Sequence, residues 1–234
     1  MHSVKAVVIS FYFLLFASSQ TYAQTNFQSS VALLVIDVQN CFVDGGSLPV
    51  PSGAEVIPVI NKIAPFFQNI IVTQDWHPEG HISFASTHPG GIPFEAIKLP
   101  YGEQILWPDH CIQGSKDAAL HPELNLPNAQ LILRKGFHKD VDSYSAFMEA
   151  DRKTSSGLAA YLRDRKIDAV YIVGLATDFC VAWTALDARD AGFSVYVVED
   201  ATRAITSGNS IESVWDALNS KGVHRIQSEQ IGKR

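Results

Sequence analysis

The fold is decided by the segment Ala169-Val-Tyr-Ile-Val-Gly-Leu-Ala-Thr-Asp-Phe-Cys180. Its first seven residues form a continuous apolar run, the pattern of a strand that is buried on both faces of a parallel sheet. Residues 181–191 have helical spacing and are followed by Gly192, a residue type that often ends helices. The segment therefore predicts a strand, a tight turn and a helix, with the thiol of Cys180 at the helix entrance.

Cys180 is a candidate nucleophile because of this position. The unpaired N–H groups and the positive dipole end of a helix N-terminus favour a thiolate over a thiol. The turn over residues 175–180 can also direct backbone N–H groups at an oxyanion, as acyl transfer requires. A buried structural cysteine is an equally good interpretation of this segment taken alone.

Strand-like and helix-like runs alternate along the rest of the chain. The predicted strands are Val31–Ile36, Asn69–Thr73, Ala129–Leu133, Ala169–Leu175, Phe193–Val198 and an edge strand, His224–Gln227. Apolar residues with helical spacing separate them, as in the segment over residues 56–67. This alternation predicts an α/β fold with a mainly parallel sheet of about six strands, covered on both faces.

Residues 76–128 interrupt the alternation. They are rich in Gly, Pro and His and show no clear periodicity. A structureless stretch of this length inside a compact domain is unusual unless it is functional. We therefore expect a long site-building excursion, with short helices or a small hairpin, within a single domain over residues 24–234.

Residues 1–23 are typical of a secretory signal peptide. A short polar head with Lys5 precedes an apolar stretch over residues 6–17, and small and polar residues end at Ala23. The apolar stretch is short for a membrane span, which needs about 20 residues; a retained anchor is the alternative. We expect an exported protein, periplasmic or secreted, without membrane contact after cleavage.

Charge and cysteine content limit the partners of the chain. The net charge of −6 becomes −7 without residues 1–23, because these contain Lys5 and no Asp or Glu. An acidic chain without a Lys/Arg cluster argues against nucleic acid as a partner. In an oxidising compartment the three cysteines leave at least one free; if Cys180 stays reduced, Cys41 and Cys111 could pair.

Reactive side chains stand where the apolar strands stop. Asp37 follows the first predicted strand, Asp75 the second, Lys135 the third and Cys180 the fourth. The carboxyl ends of strands line the ligand crevice of open α/β sheets. Each residue alone could be a turn or cap residue, but together they predict a catalytic centre. A thiol with a carboxylate base and an ammonium group nearby is an activated nucleophile.

The excursion also carries a candidate metal site. Asp75 and His77 are two residues apart, so both side chains point to one side of an extended segment. His81 follows, and His110 precedes Cys111. Imidazole and carboxylate ligands with open water positions suit Zn²⁺, Fe²⁺ or Mn²⁺. Cys111 could act as a soft fourth ligand or pack inward.

Four aromatic residues lie in the same loops: Phe42, Trp76, Trp107 and Tyr144. An aromatic substrate could stack against them. Packing in the core beneath long loops explains any one of them equally well.

Five motifs follow one another along the chain: Val35-Ile-Asp-Val-Gln-Asn40 with Phe42, Asp75-Trp-His-Pro78 with His81-Ile-Ser-Phe84, Trp107-Pro-Asp-His-Cys111, Lys135-Gly136, and Gly174-Leu-Ala-Thr-Asp-Phe-Cys-Val181. They resemble the nicotinamidase/pyrazinamidase branch of the isochorismatase-like cysteine hydrolases. The likeness runs from about Val31 to Ile226. Its most specific part is the combination of Asp-x-His with Trp-Pro-x-His-Cys.

The resemblance implies a Rossmann-like α/β/α fold and hydrolysis of nicotinamide, and of pyrazinamide, to the acid and ammonia. By this analogy Cys180 is the nucleophile, Asp37 the proton shuttle and Lys135 the supporting cation. The Leu175–Ala176 peptide bond would be cis, a rare arrangement outside proline. It would turn the N–H groups of Ala176 and Cys180 toward the oxyanion.

The resemblance also implies one divalent metal ion and a small aromatic amide as substrate. The implied metal ligands are Asp75, His77 and His110, with His81 and Ser83 as candidates for the remaining position. The ion would meet the pyridine nitrogen of the substrate. Phe42 and Trp107 would sandwich its ring, and Tyr144 is a further candidate for the pocket wall.

Two features depart from the family pattern. Cys41 stands where a polar residue is usual, and an export signal is atypical for an enzyme of NAD salvage. Two alternatives stay open: an isochorismatase-like amidohydrolase for another small amide, such as a ureido or carbamoyl compound, and a non-catalytic exported binding protein. A homo-oligomer is also left open.

Overall fold

The computed structural model describes residues 29–206 and 209–232; the predicted signal peptide lies outside these ranges. The strands are β1 Val31–Ile36, β2 Asn69–Asp75, β3 Ala96–Leu99, β4 Gly102–Ile105, β5 Leu131–Lys135, β6 Ala169–Leu175, β7 Ser194–Arg203 and β8 Val223–Ile226. The α-helices are α1 Val56–Ile63, α2 Leu158–Asp164, α3 Ala182–Asp190 and α4 Asn209–Ser220.

One parallel sheet has the strand order β5–β2–β1–β6–β7–β8. All side chains of β1 and β6, at its centre, are buried. These strands are continuous apolar runs because both of their faces are covered. The prediction of a mainly parallel sheet of about six strands is confirmed.

The two faces of the sheet bury separate hydrophobic clusters. Leu33 and Val35 of β1 join the cluster that contains residues of α1. The alternate residues Ala32, Leu34 and Ile36 join the cluster that contains residues of α2, α3 and α4. Because successive side chains of a strand point to opposite faces, one strand supplies both clusters. The architecture is the predicted three-layer α/β/α sandwich.

The strand order reverses between β1 and β6. From this pair the chain continues to β2 on one side and to β7 on the other. At such a switch point the connecting loops leave in opposite directions and open a crevice at the carboxyl ends of the strands. Asp37 follows β1 and Cys180 lies shortly after β6, so the topology brings together two residues that are far apart in sequence.

Three predicted strands end too early. β7 is longer than the predicted Phe193–Val198, β2 reaches Asp75, and β5 covers Leu131–Lys135 instead of Ala129–Leu133. The ladder between β2 and β5 continues to the pair Asp75–Lys135. Ladder hydrogen bonds extend these strands past the apolar run that predicted them. Asp75 and Lys135 therefore stand side by side on neighbouring strands.

The excursion over residues 76–128 contains the antiparallel hairpin β3–β4, outside the main sheet. A short 3-10 turn, Ala85–Thr87, precedes the hairpin. This confirms the expectation of a small hairpin and a short helix. Across the described residues, each helix falls short of the length and apolar character that a membrane crossing requires.

Candidate active site

Lys135 is buried at the end of β5 and contacts the other residues predicted to be catalytic. Its Nζ lies 2.8 Å from Asp37 Oδ2, 2.9 Å from Asp75 Oδ1 and 3.3 Å from Cys180 Sγ. It also donates to the carbonyl oxygen of Ser143 at 3.1 Å. Four acceptors thus surround an ammonium group with three hydrogens. The structure brings together all four reactive residues that the strand ends predicted.

Burial and charge act against each other in this cluster. Burial raises the pKa of Asp37; the Lys135 ammonium lowers it, but the pKa stays above its ordinary value. Burial lowers the pKa of Lys135, yet the carboxylates of Asp37 and Asp75 outweigh it and hold that pKa well above its ordinary value. Lys135 is therefore a permanent cation, and Asp37 is a carboxylate with increased affinity for a proton.

The expectation that the helix dipole favours a thiolate at Cys180 is wrong for this site. Cys180 lies inside a π-helical turn, Thr177–Val181, that leads into α3. Burial raises the pKa of Cys180 well above its ordinary value; Lys135 lowers it, and the carboxylates of Asp37 and Asp75 raise it. Loss of water around the sulfur dominates, so the thiol needs a base. A carboxylate oxygen of Asp37 lies within 4.8 Å of the sulfur.

Two buried polar side chains that sequence reasoning missed hold Asp37 and Asp75 in place. Thr73 Oγ1 accepts a hydrogen bond from the N–H of Asp37 at 3.0 Å and donates to Asp37 Oδ1 at 2.5 Å. Gln39 accepts from the N–H of Asp75 at 2.7 Å and donates to the Asp75 carbonyl at 2.9 Å. Thr73 is the polar residue that ends the apolar run of residues 70–73, and this is the sequence signal that could have identified it.

Two imidazole rings face one oxygen of Asp75. His77 Nε2 lies 3.3 Å and His110 Nε2 lies 3.7 Å from Asp75 Oδ2. The Nδ1 atoms lie 2.8 Å from carbonyl oxygens, of Gly136 for His77 and of Pro108 for His110. A carbonyl only accepts, so Nδ1 of each ring carries a hydrogen and each Nε2 faces the carboxylate. Two imidazole nitrogens and a carboxylate oxygen that face one another are the ligand types that suit a divalent cation.

His81 and Ser83, the further ligand candidates, bond to each other, with His81 Nδ1 2.7 Å from Ser83 Oγ. His81 Nε2 lies 3.3 Å from the Val141 carbonyl, and the ring packs on His77 with centroids 4.2 Å apart. Burial and the neighbouring His77 lower the pKa of His81 to about 4, so this ring is neutral near pH 7. In this arrangement the pair supports the His77 ring.

Gly136 controls the position of His77. Its φ is +64°, and a Cβ at this position would lie 2.4 Å from His77 Cε1. We expect Gly136→Ala to displace the ring and to weaken Zn²⁺ binding roughly 10- to 100-fold, as measured by competition with a chelating dye. Gly114→Ala is the matched control, because Gly114 also has positive φ but open space around the added methyl group. Equal Zn²⁺ affinity in the two variants would contradict this role.

Cys41 and Cys111 form a disulfide, with Cα atoms 5.5 Å apart. Cys180 is the free cysteine. The pairing considered from the cysteine count is confirmed, and the sulfur of Cys111 is not available as a soft metal ligand. The bridge joins the loop that carries Phe42 to the loop that carries His110.

Removing this bridge should lower stability strongly. For the double variant Cys41→Ser, Cys111→Ser we expect a loss of about 4 kcal/mol in the free energy of unfolding, since the bridge closes a long loop; its half-cystines are 70 residues apart. Urea unfolding of the oxidised protein and the variant measures the difference. Cys180→Ser, which keeps the bridge, is the control. A double variant as stable as the oxidised protein would contradict the expectation.

Cys180 and Asp75 of the catalytic cluster line a pocket together with His77 and His110. Phe42, Trp107 and Tyr144 line this pocket, as predicted for substrate-binding residues, and Ala176 lies beside Cys180. Trp76 lies outside it, because its ring stacks against the Arg134 guanidinium at 3.8 Å. Sequence reasoning missed further wall residues: Leu48, Asp142, Phe179 and Ile205.

Two details of the site concern the backbone and a further carboxylate. The Leu175–Ala176 peptide bond is cis, as the resemblance implied.

Asp142 is buried, and its carboxylate lies within 4.8 Å of ring nitrogens of His77 and His81. A single acidic residue in a loop gave no sequence signal for this position.

Comparison with known proteins identifies the family. A family model described as the isochorismatase domain matches residues 31–230. The chain belongs to the isochorismatase family. Among its relatives, the nicotinamidase of Acinetobacter baylyi is 58% identical over 203 residues, which are 87% of this chain and 95% of that protein. The nicotinamidase of Escherichia coli is 43% identical over 178 residues, 74% of this chain and 83% of that protein.

Solved structures of similar proteins share the fold. The Acinetobacter baumanii nicotinamidase pyrazinamidease has a TM-score of 0.85 at 57% identity, covering 86% of this chain and 98% of that chain. PnC1 from L. infantum, in complex with nicotinate, has a TM-score of 0.76 at 37% identity, with 86% and 94% covered. The pyrazinamidase of Pyrococcus horikoshii, in complex with zinc, has a TM-score of 0.70 at 35% identity, with 85% and 99% covered. The predicted family and its Rossmann-like fold are confirmed.

Proposed function

We propose that this protein hydrolyses nicotinamide to nicotinate and ammonia, and that it acts on pyrazinamide in the same way. The observation that carries the proposal is the contact of one buried ammonium group, Lys135 Nζ, with Asp37, Asp75 and Cys180 beneath an aromatic-lined pocket. Relatives at 58% and 43% identity are nicotinamidases, and a similar structure holds nicotinate.

Acylation uses Asp37 first as a base and then as an acid. Its carboxylate takes the proton of the Cys180 thiol while the sulfur attacks the carboxamide carbon. The N–H groups of Ala176 and Cys180 stabilise the oxyanion. The C–N bond then breaks, Asp37 gives its proton to the departing nitrogen, and ammonia leaves. Lys135 stays protonated and holds the carboxylate and the sulfur in place.

Hydrolysis of the thioester restores the thiol. Asp37 takes a proton from water as the water oxygen attacks the acyl carbon. The C–S bond breaks, Asp37 returns the proton to the Cys180 sulfur, and the acid leaves as nicotinate after its remaining proton passes to solvent.

The remaining residues bind and orient the substrate. Phe42 and Trp107 hold the pyridine ring between them, and Tyr144 borders it. Asp75, His77 and His110 would hold one divalent ion, Zn²⁺, Fe²⁺ or Mn²⁺, whose chemistry when bound is that of a Lewis acid toward the pyridine nitrogen. The zinc in the P. horikoshii relative supports this assignment.

Ammonia release from several aromatic amides tests the function. We expect release from nicotinamide and pyrazinamide, poor release from benzamide because it lacks a ring nitrogen, and loss of activity after chelation that added Zn²⁺, Fe²⁺ or Mn²⁺ restores. No release from any amide would contradict the proposed function. Full activity in metal-free protein would contradict the metal site alone.

We also propose that residues 1–23 direct export and are removed after Ala23. The disulfide between Cys41 and Cys111 supports export, because such bonds persist in oxidising compartments and are rare in the cytosol. Cell fractionation and N-terminal analysis test this, with Gln24 as the expected first residue. Recovery of the intact chain from the cytosol would contradict the proposal.

A further inference from the structure

Gln104 is a buried amide on a largely exposed hairpin. It belongs to β4, where Gly102 and Glu103 are exposed, whereas Gln104 is 1% exposed. None of the catalytic steps proposed above uses this residue. Its hydrogen bonds connect the hairpin to the wall of the substrate pocket.

The amide nitrogen of Gln104 faces three acceptors. Nε2 lies 2.7 Å from the Ile105 carbonyl, 2.8 Å from Asp142 Oδ2 and 3.1 Å from the Tyr144 hydroxyl oxygen. The Tyr101 hydroxyl donates to Gln104 Oε1 at 3.0 Å. A carbonyl oxygen only accepts, so the Ile105 carbonyl fixes which end of the amide is the NH₂ group, and its two hydrogens are shared among the three acceptors.

Tyr144 extends this connection to a second aromatic ring. Its oxygen accepts hydrogen bonds from Gln104 and, at 3.0 Å, from Trp107 Nε1, which uses both of its lone pairs. The rings of Tyr144 and Trp107 meet edge to face with centroids 6.4 Å apart. One oxygen atom therefore ties two rings of the pocket wall together, and Gln104 holds that oxygen from outside the pocket.

Asp142 is the other end of the same connection. Its Oδ1 accepts from the N–H of Ser143 at 2.8 Å, and its Oδ2 accepts from Gln104. Asp142 is buried and lines the pocket. A buried carboxylate requires donors, because an unpaired charge away from water is costly. Gln104 supplies one of them and thereby fixes the segment that carries both Asp142 and Tyr144.

We propose that Gln104 is a positioning residue for substrate binding, which holds Tyr144 and Asp142, and through Tyr144 the ring of Trp107, in the arrangement that receives a flat aromatic amide. The inference rests on the proposed function, in which these two rings border the substrate. It makes the hairpin of residues 96–105 part of the active site. Pre-organising the wall lowers the ordering cost of binding.

Loss of Gln104 should weaken binding more than chemistry. Trp107 and Tyr144 border the ring rather than the reacting carbon, so they hold the substrate and the transition state alike. Gln104→Leu keeps the approximate size of the side chain and removes both donors. We expect KM for nicotinamide to rise about tenfold, the equivalent of one buried hydrogen bond, with kcat changed by less than about threefold.

A double-mutant cycle separates this role from general support of the fold. Gln104→Leu, Tyr144→Phe and the combined variant are compared in KM, in kcat and in nicotinate affinity from tryptophan fluorescence. Because Gln104 acts largely through the Tyr144 oxygen, both single variants raise KM, and the combined effect is clearly smaller than the product of the two. Lys98→Ala, at an exposed position of the same hairpin, is the matched control with unchanged KM.

Two results would overturn the inference. One is an unchanged KM in Tyr144→Phe, a variant that keeps the ring and therefore decides the matter if Gln104→Leu does not fold. The other is a combined effect equal to the product of the single effects. Failure of the proposed function looks different, because the wild-type protein would then release no ammonia from nicotinamide.

Discussion

Cys180→Ala is expected to reduce ammonia release from nicotinamide by at least about 10⁴-fold, because no thioester can form without the sulfur. The substitution removes one buried atom at the pocket floor and leaves the aromatic wall in place. Thermal unfolding and nicotinate affinity should therefore remain close to those of the wild type. A sensitive ammonia assay at high protein concentration measures the residual rate.

Trapping the intermediate provides the complementary measurement. Acid-quenched wild-type protein mixed with nicotinamide should show a mass increase equal to a nicotinoyl group on the peptide that contains Cys180. The Cys180→Ala variant should show none. Substantial turnover in this variant, or a nicotinoyl group on another residue, would refute the covalent step proposed for Cys180.

Lys135→Met is expected to lower both stability and turnover. Lys135 is the cation between two buried carboxylates, Asp37 and Asp75, at 2.8 and 2.9 Å. Removing one partner of a buried ion pair costs about 3–5 kcal/mol, because it leaves an uncompensated charge away from water. Turnover should fall together with stability, because the Asp37 carboxylate then lacks the cation that orients this carboxylate toward the Cys180 sulfur. Urea unfolding and the ammonia assay measure the two losses.

Two further variants identify the cause of the Lys135→Met effect. Lys98→Met removes an exposed lysine and should change stability by less than about 0.5 kcal/mol. Adding Asp37→Asn to Lys135→Met should recover part of the lost stability, since it removes a buried uncompensated charge, but no activity, since the base is also gone. A Lys135→Met variant as stable as the wild type would contradict the charge-balance argument.

The amino-acid sequence by itself determined the layers of the fold and the location of the catalytic centre. The apolar runs of residues 31–36 and 169–175 have no polar alternation, which requires cover on both faces and so places them at the centre of a parallel sheet. The residues that follow such strands all lie at one edge of the sheet. Asp37 and Cys180 could therefore be predicted as neighbours, and the histidines of the excursion added His77 and His110 as candidate metal ligands.

Only the tertiary structure decided the pKa of the Cys180 thiol and the hydrogen bonds that hold the site residues in place. The sequence placed Cys180 at a helix entrance and predicted a thiolate, but the pKa of a thiol depends on how much water its surroundings remove, and burial prevails here. Thr73, Gln39 and Gln104 hold the site through hydrogen bonds to segments remote in the chain. Periodicity records which face of an element is apolar. It does not record which polar atoms from distant segments meet once those faces are buried, so these contacts could not be predicted.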